Sequence, residues 1–360
     1  MKYFFFVQSE GRGHMSQALA LKEQLEEQGH QVIAATIGLG PNQEIPSFFK
    51  DNIGCPIINV ESPKFLIDKE GKGVRLVASV INTIKKVPNY LNSVRKIKKS
   101  ITNLNPDVLV SFYEPLAGAY YRFCDDKRPM FCIGHQFLAS ASSFKFPPSN
   151  FFSKNYFQFY NFLVSGKRTT KIALSFDNEP DELNKKLFIC PPLIRKSIKL
   201  IQPSNNSFIL SYMINFGYAK EIISWHQANP DYKIEAFWNK PGEEHTRIDD
   251  KLNFYHLSGQ RFIDLLASCE AYVGTAGFDS VAEAAYLQKN ILLIPTKNHF
   301  EQECNAYDAQ RAKIAISSNI FNFSLLQDKA ISHSPIYLKK FKEWVDNFDG
   351  KIIEILTKNN

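Results

Sequence analysis

The fold class of this chain is decided by residues 271–311, AYVGTAGFDSVAEAAYLQKNILLIPTKNHFEQECNAYDAQR. A short apolar run meets a glycine-containing turn at 274–277, and apolar residues then recur every three or four positions, as on one face of a helix. A second apolar run at 291–294 ends at Pro295, and residues 301–312 again have a helical pattern. This succession of strand, turn, helix, strand, loop and helix predicts part of a parallel α/β layer.

The turn in this segment is suited to binding an anion. Gly277 allows a ligand to approach the backbone, and Asp279 or Ser280 can cap the helix that follows. The amide groups and the positive dipole end at the start of that helix attract negative charge. One turn further on, the carboxylate of Glu283 can accept hydrogen bonds from sugar hydroxyls. A diphosphate at the turn and a ribose at Glu283 would make one nucleotide, although an ordinary βα turn with a solvated glutamate has the same pattern.

The spacing of this segment resembles a known family. GTAGFDSVAEA at 274–284, then Pro295, then EQECNA at 301–306 are similar to the nucleotide-sugar site of GT-B glycosyltransferases. The similar group contains the peptidoglycan lipid-intermediate N-acetylglucosaminyltransferase, the plant galactolipid synthases and uncharacterised bacterial and archaeal UDP-sugar transferase-like proteins. The resemblance is strong over 257–312 and clear again at the N-terminus. It implies an α/β protein of the GT-B fold, with two Rossmann-like parallel-sheet domains facing across a cleft.

The resemblance also implies a set of donor-binding residues. Glu283 would hold the ribose, while Asn305 is expected to order the loop. No metal and no cofactor beyond the nucleotide-sugar co-substrate is expected, because amides at a helix start can stabilise the leaving diphosphate. Phe262 and Ile263 match the segment that reads the base, although core packing would explain both equally well. The remaining donor contacts are expected from the turn and helix start (Thr275, Ala276, Gly277, Phe278 and Ser280) and, for the donor sugar, from Gln302 and Glu301.

The N-terminus carries the second matching motif. An apolar run at 3–7 predicts a buried parallel strand, and GRGH at 11–14 follows it. In the family, a glycine-rich loop ending in histidine at this place faces the cleft, which implies a role for His14, with close approach at Gly11 and Gly13. The third glycine of a dinucleotide fingerprint is missing, which argues against a Rossmann dehydrogenase.

An inverting transfer needs a base to take the proton of the acceptor hydroxyl, and histidine is suited to that near neutral pH. His14 is our first candidate. His135 is the second, because it follows the predicted strand 130–133 at the end where open sheets bind ligands. Glu10 is the third. A solvated loop histidine remains the alternative for His14, and a histidine satisfied within a loop remains the alternative for His135.

Positive charge is concentrated in one region. Residues 64–104 carry ten Lys or Arg against two acidic residues, an excess of eight in a chain whose net charge is +7. Residues 75–104 predict two amphipathic helical segments broken at Pro88, and 144–164 place many aromatic residues between lysines. Such segments suit an anionic membrane surface or a lipid-linked acceptor. A surface helix with a solvated basic face is the alternative. The charge is local and no recognition module accompanies it, so we expect no nucleic acid partner.

Length and composition favour two domains. A chain of 360 residues with 44% hydrophobic residues can form two cores. We predict an N-terminal Rossmann-like acceptor domain at 1–203, a C-terminal donor domain at 204–335 and, from the resemblance, a final helix at 336–360 crossing back to the first domain. No apolar run is long enough to span a bilayer, and six cysteines without metal spacing suggest buried thiols in a reducing compartment. We therefore expect a cytoplasmic protein, at the inner face of the membrane if the basic segments dock there.

The resulting functional hypothesis is a hexosyltransferase. It would move a sugar from a nucleotide diphosphate sugar, expected to be UDP-linked, to a hydroxyl of a lipid-linked or saccharide acceptor in cell-envelope polysaccharide or glycolipid synthesis. Inversion and metal independence follow from the resemblance. A nucleotide-sugar 2-epimerase of the same fold is one alternative, although 294–296 lacks the arginine typical of that group. A non-catalytic nucleotide-binding protein is another, because the loop 211–217 departs from the Gly/Ser-rich loop of many relatives.

Overall fold

The computed structural model describes residues 1–40, 43–64, 66, 75–148, 151–213, 216–240, 242–327 and 335–358. These residues form two structural units. The first contains Met1–Leu66, Arg75–Arg195 and the C-terminal segment from Phe348, and the second contains Lys196–Asn347. The division therefore lies between Arg195 and Lys196, upstream of the boundary predicted at 203, because the short helix that begins at Lys196 packs with the second unit.

The first unit is built on a parallel sheet of seven strands in the order β3-β2-β1-β4-β5-β6-β7. The inner strand β1 is continuously apolar and fully buried from Tyr3 to Val7, as expected for a parallel strand covered on both faces. The strand order reverses between β1 and β4. Open α/β sheets bind ligands at such a reversal point, beyond the carboxyl ends of the strands. The strands are β1 Lys2–Gln8, β2 Gln31–Leu39, β3 Ile57–Glu61, β4 Val108–Phe112, β5 Met130–Ile133, β6 Thr170–Leu174 and β7 Leu187–Cys190.

Helices cover both faces of this sheet. The break predicted at Pro88 lies two residues earlier, at Lys86. Pro88 itself is in the first turn of the second helix, where its missing N–H is not needed. The helices are α1 Gly13–Glu27, α2 Ser47–Lys50, α3 Leu76–Lys85, α4 Val87–Leu104, α5 Pro115–Phe123 and α6 Phe151–Ser165, with 3₁₀ turns at His135–Ser140 and Leu183–Lys185.

The second unit repeats the architecture with the order β10-β11-β9-β8-β12-β13-β14, parallel except for the antiparallel pair β10 and β11. Here the order reverses between β8 and β12. The strands are β8 Ile209–Tyr212, β9 Ile234–Trp238, β10 His245–Arg247, β11 Leu252–His256, β12 Ala271–Gly274, β13 Asn290–Leu293 and β14 Ile316–Ser317. The helices are α7 Lys196–Lys199, α8 Ala219–Ala228, α9 Gly259–Ser268, α10 Phe278–Tyr286, α11 Phe300–Arg311 and α12 Pro335–Asn347, with 3₁₀ turns at Phe216–Tyr218 and Phe323–Gln327.

The C-terminal segment differs from the single helix expected after residue 335. It forms two helices, α12 and then α13 Lys351–Lys358, separated by a short break before Lys351. Gly350 in this break has the low helix propensity of an interior glycine. The helix α12 belongs to the second unit, whereas the segment from Phe348 belongs to the first.

No helix within the described ranges is long and apolar enough to cross a membrane.

Candidate functional site

In the second unit, the turn between β12 and α10 has an unusual backbone held by a side chain from another helix. Ala276 has a left-handed φ of 62°, which a non-glycine residue adopts only at a cost. The side-chain amide of Asn305, on α11, donates to the carbonyl of Ala276 at 3.0 Å. Both residues are buried. Asn305 therefore orders this turn, as the sequence suggested.

A buried tyrosine lies beneath the same turn. The Tyr272 hydroxyl donates to Ser280 Oγ at 2.8 Å, and Ser280 donates in turn to the Gly277 carbonyl at 3.1 Å. Burial raises the pKa of Tyr272, so the phenol stays protonated and remains a donor. Gly274 is needed here, since a Cβ on it would collide with the Tyr272 hydroxyl. These contacts fix the geometry of the helix start.

The helix start differs in one respect from the sequence expectation. Its N-cap is Gly277, and no side chain caps it. The reason is that Ser280 uses its proton on the Gly277 carbonyl and lies inside the helix rather than before it. The side chains of Thr275, Ala276 and Phe278 are also buried, whereas Gly277, Asp279 and Ser280 are partly exposed. The first amides of a helix have no intrahelical acceptor, which leaves them for a cap, water or an anion.

The three polar residues predicted to hold sugars lie in the second unit, on α10 and on α11, whose Asn305 contacts this turn. Glu283 is on α10, one turn beyond the N-cap, with 4% of its surface exposed. Gln302, in the first turn of α11, accepts a hydrogen bond from the Thr296 backbone amide at 2.8 Å through Oε1. Because Oε1 accepts this hydrogen bond, the side-chain NH2 group of Gln302 is the end that could donate to a ligand. Glu301, its neighbour, is partly exposed in the same helical turn.

The predicted base-pocket residues lie on α9. Phe262 is 7% exposed and its ring packs against Tyr212 at a centroid distance of 4.7 Å, while Ile263 is 8% exposed. Tyr212 ends β8, beside the point where the strand order reverses. An aromatic ring thus stands where many relatives have a Gly/Ser-rich loop. Residues 214–215 of that loop lie outside the described residues.

In the first unit, the loop after β1 reaches the reversal point between β1 and β4. Gly11 has a φ of 74°, a conformation that glycine adopts without strain, and Gly13 and His14 begin α1. The His14 ring stacks on Tyr113, with centroids 5.8 Å apart and planes 22° apart. Tyr113 directly follows β4 and has a left-handed φ of 56°, which is rare for an aromatic residue. Such strain is concentrated at functional sites.

The other two base candidates are held by local contacts. His135 is 4% exposed, and its Nδ1 donates to the Leu174 carbonyl at 2.7 Å, which fixes the proton on that nitrogen. Glu10 is partly exposed and accepts a hydrogen bond from the Gln8 side chain at 3.1 Å. His14 is partly exposed, whereas His135 is buried.

Glu114, which follows Tyr113 in the chain, has a buried carboxyl group that the sequence did not indicate as a candidate. Glu114 is fully buried at the N-terminus of α5, where it accepts hydrogen bonds from Ser62 Oγ and from the Leu116 amide. Burial raises its pKa to about 7, against the opposing effect of these bonds and of Lys64. The signal that could have found Tyr113 and Glu114 is their place at the carboxyl end of β4.

Comparison with known proteins identifies the family to which this chain belongs. The model of Glycosyl transferase family 1 matches residues 1–329. An uncharacterized glycosyltransferase from Methanosarcina acetivorans is 26% identical over 329 residues, covering 85% of this chain and 80% of the relative. The fold is similar to that of the kitacinnamycin glycotransferase (TM-score 0.64, 13% identity, 99% and 98% of the two chains covered). It is also similar to MurG from Acinetobacter baumannii (TM-score 0.60, 14% identity, 99% and 100% covered).

The family match spans both sheets and both sites described above, and the structural matches cover the whole architecture. The fold expected from the sequence, GT-B with two Rossmann-like parallel-sheet domains, is therefore confirmed. The chain belongs to Glycosyl transferase family 1 and is a glycosyltransferase of the GT-B fold.

Proposed function

We propose that this glycosyltransferase takes its sugar from a UDP-sugar bound at the turn between β12 and α10. The observation that carries the proposal is the start of α10, where a strained turn held by Asn305 presents backbone amides, with Glu283 one helical turn away. The amides would hold the diphosphate and Glu283 the ribose. As the glycosidic bond to the diphosphate breaks, charge grows on the leaving group, and the amides and helix dipole would stabilise it without a metal ion.

We propose His14 as the base for this reaction, with inversion at the anomeric carbon. The acceptor hydroxyl would lose its proton to His14 while its oxygen attacks the sugar. Stacking on Tyr113 would hold the imidazole plane during proton transfer. His135 and Glu10 are the remaining candidates, and the first is restrained by its bond to Leu174.

The donor proposal is tested by thermal shift and calorimetry with UDP-, GDP-, TDP- and CMP-sugars. We expect UDP-sugars to stabilise the enzyme and Glu283→Gln to weaken their binding by about tenfold, since one charge-assisted hydrogen bond contributes roughly 1.5 kcal/mol. Glu270→Gln, at an exposed position on the same unit, is the matched control and should bind normally. Unchanged affinity in Glu283→Gln would contradict the ribose assignment. Conversion of the UDP-sugar into its 2-epimer without an acceptor, rather than into UDP and free sugar, would instead indicate the epimerase.

The base proposal is tested with a His14→Asn variant. It should bind donor as the wild type does but lose transfer by about 10²- to 10⁴-fold, the usual contribution of general base catalysis. His135→Asn is measured in parallel. If transfer survives in His14→Asn and is lost in His135→Asn, the roles of the two histidines are reversed.

We further propose that the enzyme works at an anionic membrane surface, in glycolipid or cell-envelope polysaccharide synthesis. Helix α3 exposes an apolar stripe that includes Val77 (73% exposed) and Ile84 (66%). Helix α6 begins with Phe151 (76%) and Phe152 (83%). Exposed Lys and Arg side chains of α4 would add about 1 kcal/mol each near anionic lipid. Part of the basic region, residues 65 and 67–74, lies outside the described residues.

Vesicle sedimentation tests the membrane proposal. Vesicles rich in phosphatidylserine should bind the enzyme at low salt and release it as salt rises, whereas neutral phosphatidylcholine vesicles should bind it weakly. Replacing Val77 and Ile84 together by serine should reduce binding by about a hundredfold or more, because burial of each aliphatic side chain contributes about 1.5 kcal/mol or more. Equal binding to both kinds of vesicle, or none to either, would contradict the proposal.

A further inference from the structure

A row of aromatic rings extends from His14 along one side of helix α6. The His14 ring stacks on Tyr113. Tyr113 contacts Tyr160 with centroids 5.9 Å apart, and Tyr160 stacks on Tyr156 at 6.2 Å with planes 19° apart. Tyr113 is buried, whereas Tyr156 and Tyr160 are only partly buried. The row thus begins at the proposed base and leaves two tyrosines partly exposed to a ligand.

The row is held in place by contacts on its buried side. The Tyr113 hydroxyl donates to the side-chain oxygen of Asn161, on α6, and the Asn161 amide donates to the Gln136 carbonyl at 2.9 Å. Gly118 on α5 lets the backbone of α6 come close, because a Cβ there would collide with the Leu163 and Val164 carbonyls. A surface fixed in this way loses little conformational freedom when a ligand binds.

The row is bordered by polar groups. Tyr156 lies close enough to Glu10 for that carboxylate to add to the effect of burial in raising the tyrosine pKa. Glu10 also acts on Lys64, whose ammonium group donates to Ser9 at 2.7 Å and to Gln43. A purely apolar ligand would remove water from the charged groups of Glu10 and Lys64, and this desolvation disfavours its binding even where both groups keep their protein partners.

We propose that the acceptor is a saccharide whose ring stacks on Tyr156 and Tyr160 and whose accepting hydroxyl reaches His14. A pyranose has an apolar face of C–H groups and a rim of hydroxyls, and the site offers aromatic faces with a carboxylate beside them. The tyrosines present an apolar body with a polar tip, which suits the same mixed surface. Glu10 accepts hydrogen bonds from hydroxyls that do not react. This assignment rests on the proposed transfer reaction and on His14 as its base.

The test compares two kinds of acceptor with the same UDP-sugar donor. The first is a panel of methyl glycosides of glucose, galactose, mannose and N-acetylglucosamine, and the second is n-octanol. At least one methyl glycoside should accept the sugar, and octanol should not. Transfer to octanol with none to the glycosides would overturn the proposal and favour an apolar acceptor.

Two pairs of variants locate the stacking. Tyr160→Leu and Tyr156→Leu should raise the KM for the glycoside about three- to tenfold, as expected for a lost aromatic contact, while Tyr160→Phe and Tyr156→Phe should largely restore it. Tyr337→Leu, a half-buried tyrosine in the second unit, is the control. Equal KM values in wild type and both leucine variants would overturn the proposal.

Donor binding and slow donor hydrolysis by water separate this proposal from the proposed function. They should be the same in the leucine variants as in the wild type, because the tyrosine row lies in the first unit and the donor residues in the second. If donor binding and hydrolysis persist while no saccharide accepts the sugar, only the saccharide proposal fails. If no nucleotide sugar binds at all, the transferase proposal fails first.

Discussion

The Glu114 carboxyl group is the most perturbed acid beside the proposed acceptor site. One of its oxygens accepts hydrogen bonds from Ser62 and from the Leu116 amide. The other faces Gly38, where any Cβ would collide with it. Ionisation at this place puts a charge in a nearly water-free environment, and the nearby Lys64 offsets only part of that cost. The protonated form is therefore favoured in the folded protein up to about neutral pH.

Glu114→Gln should make the protein less sensitive to pH. The pKa of Glu114 rises from 4.5 in the unfolded chain to about 7 in the folded protein. As pH rises between these values the unfolded state loses the proton first, so the free energy of unfolding falls by about 3 kcal/mol and stays lower above pH 7. Glutamine stays neutral and can accept the same hydrogen bonds, so the variant should gain stability relative to wild type across this window and none below it.

Urea denaturation at several pH values between 4 and 8 measures this difference. Ionisable groups elsewhere act equally on both proteins and cancel in the comparison. A constant difference in unfolding free energy across the range would show that Glu114 does not titrate there.

Individual candidate residues could be predicted from the sequence only where they belong to a motif. His14, Gly277 and Glu283 were named as candidates because the turn and helix pattern around them is local in sequence, and their roles stay predictions. Tyr113 and Tyr160 were not, because their contact joins positions 47 residues apart through the fold. Sequence spacing cannot show such a contact, since it depends on how α6 returns to the carboxyl edge of the first sheet.

At the scale of elements, α5 and α6 of the first unit pack closely at Gly118. Gly118, in the middle of α5, is where the two helices approach each other, and the carbonyls of Leu163 and Val164 occupy the space of its missing side chain. Backbone atoms cannot rotate away as a side chain can. The position of the tyrosine row therefore depends on this one glycine.

Gly118→Ala should destabilise the protein and displace α6. Alanine improves helix propensity by about 1 kcal/mol, but overpacking against a rigid backbone costs about 1–3 kcal/mol or more, and that cost should prevail. Thermal unfolding measures the loss. Gly350→Ala is the control, because the space around Gly350 is open and its φ lies outside the left-handed region. A Gly118→Ala protein as stable as wild type would show that α6 can move aside freely.

Elements were predictable where hydrophobic periodicity was strong. The apolar runs at 3–7 and 271–273 lie within strands of the two sheets, and the run at 291–294 extends one residue beyond β13. Helix ends were less predictable. The expected side-chain cap of α10 does not form, because Ser280 lies inside the helix and bonds to Gly277 and Tyr272 instead. The capping of α10 is decided by packing around Tyr272, which helix propensities do not take into account.

For the whole molecule, the two units are not continuous segments of the chain. After the second unit ends at Asn347, the chain contributes its last helix, α13, to the first unit. Asp349 accepts a hydrogen bond from Gln24 of α1 at 3.0 Å, and Lys351 donates to Asp181 at 2.9 Å and to the Ile189 carbonyl at 2.7 Å. The first unit is thus completed by a helix that follows the second unit in sequence.

Leu356→Ala should therefore weaken the first unit selectively. Leu356 is fully buried, and removing a buried leucine side chain costs about 2–5 kcal/mol. Lys351→Met should cost less, roughly 1 kcal/mol, because the ion pair with Asp181 is partly exposed to solvent and screened. Hydrogen exchange measured by mass spectrometry should show faster exchange in β1, β4 and β7, with β12 and β13 unchanged.

The control is Ile336→Ala, at an exposed position on α12, which should change hydrogen exchange in neither sheet. Helix α13 carries no proposed donor or acceptor residue. Faster exchange in both sheets would mean that the two units unfold together. Unchanged exchange in the first sheet would mean that this sheet is stable without the packing of α13.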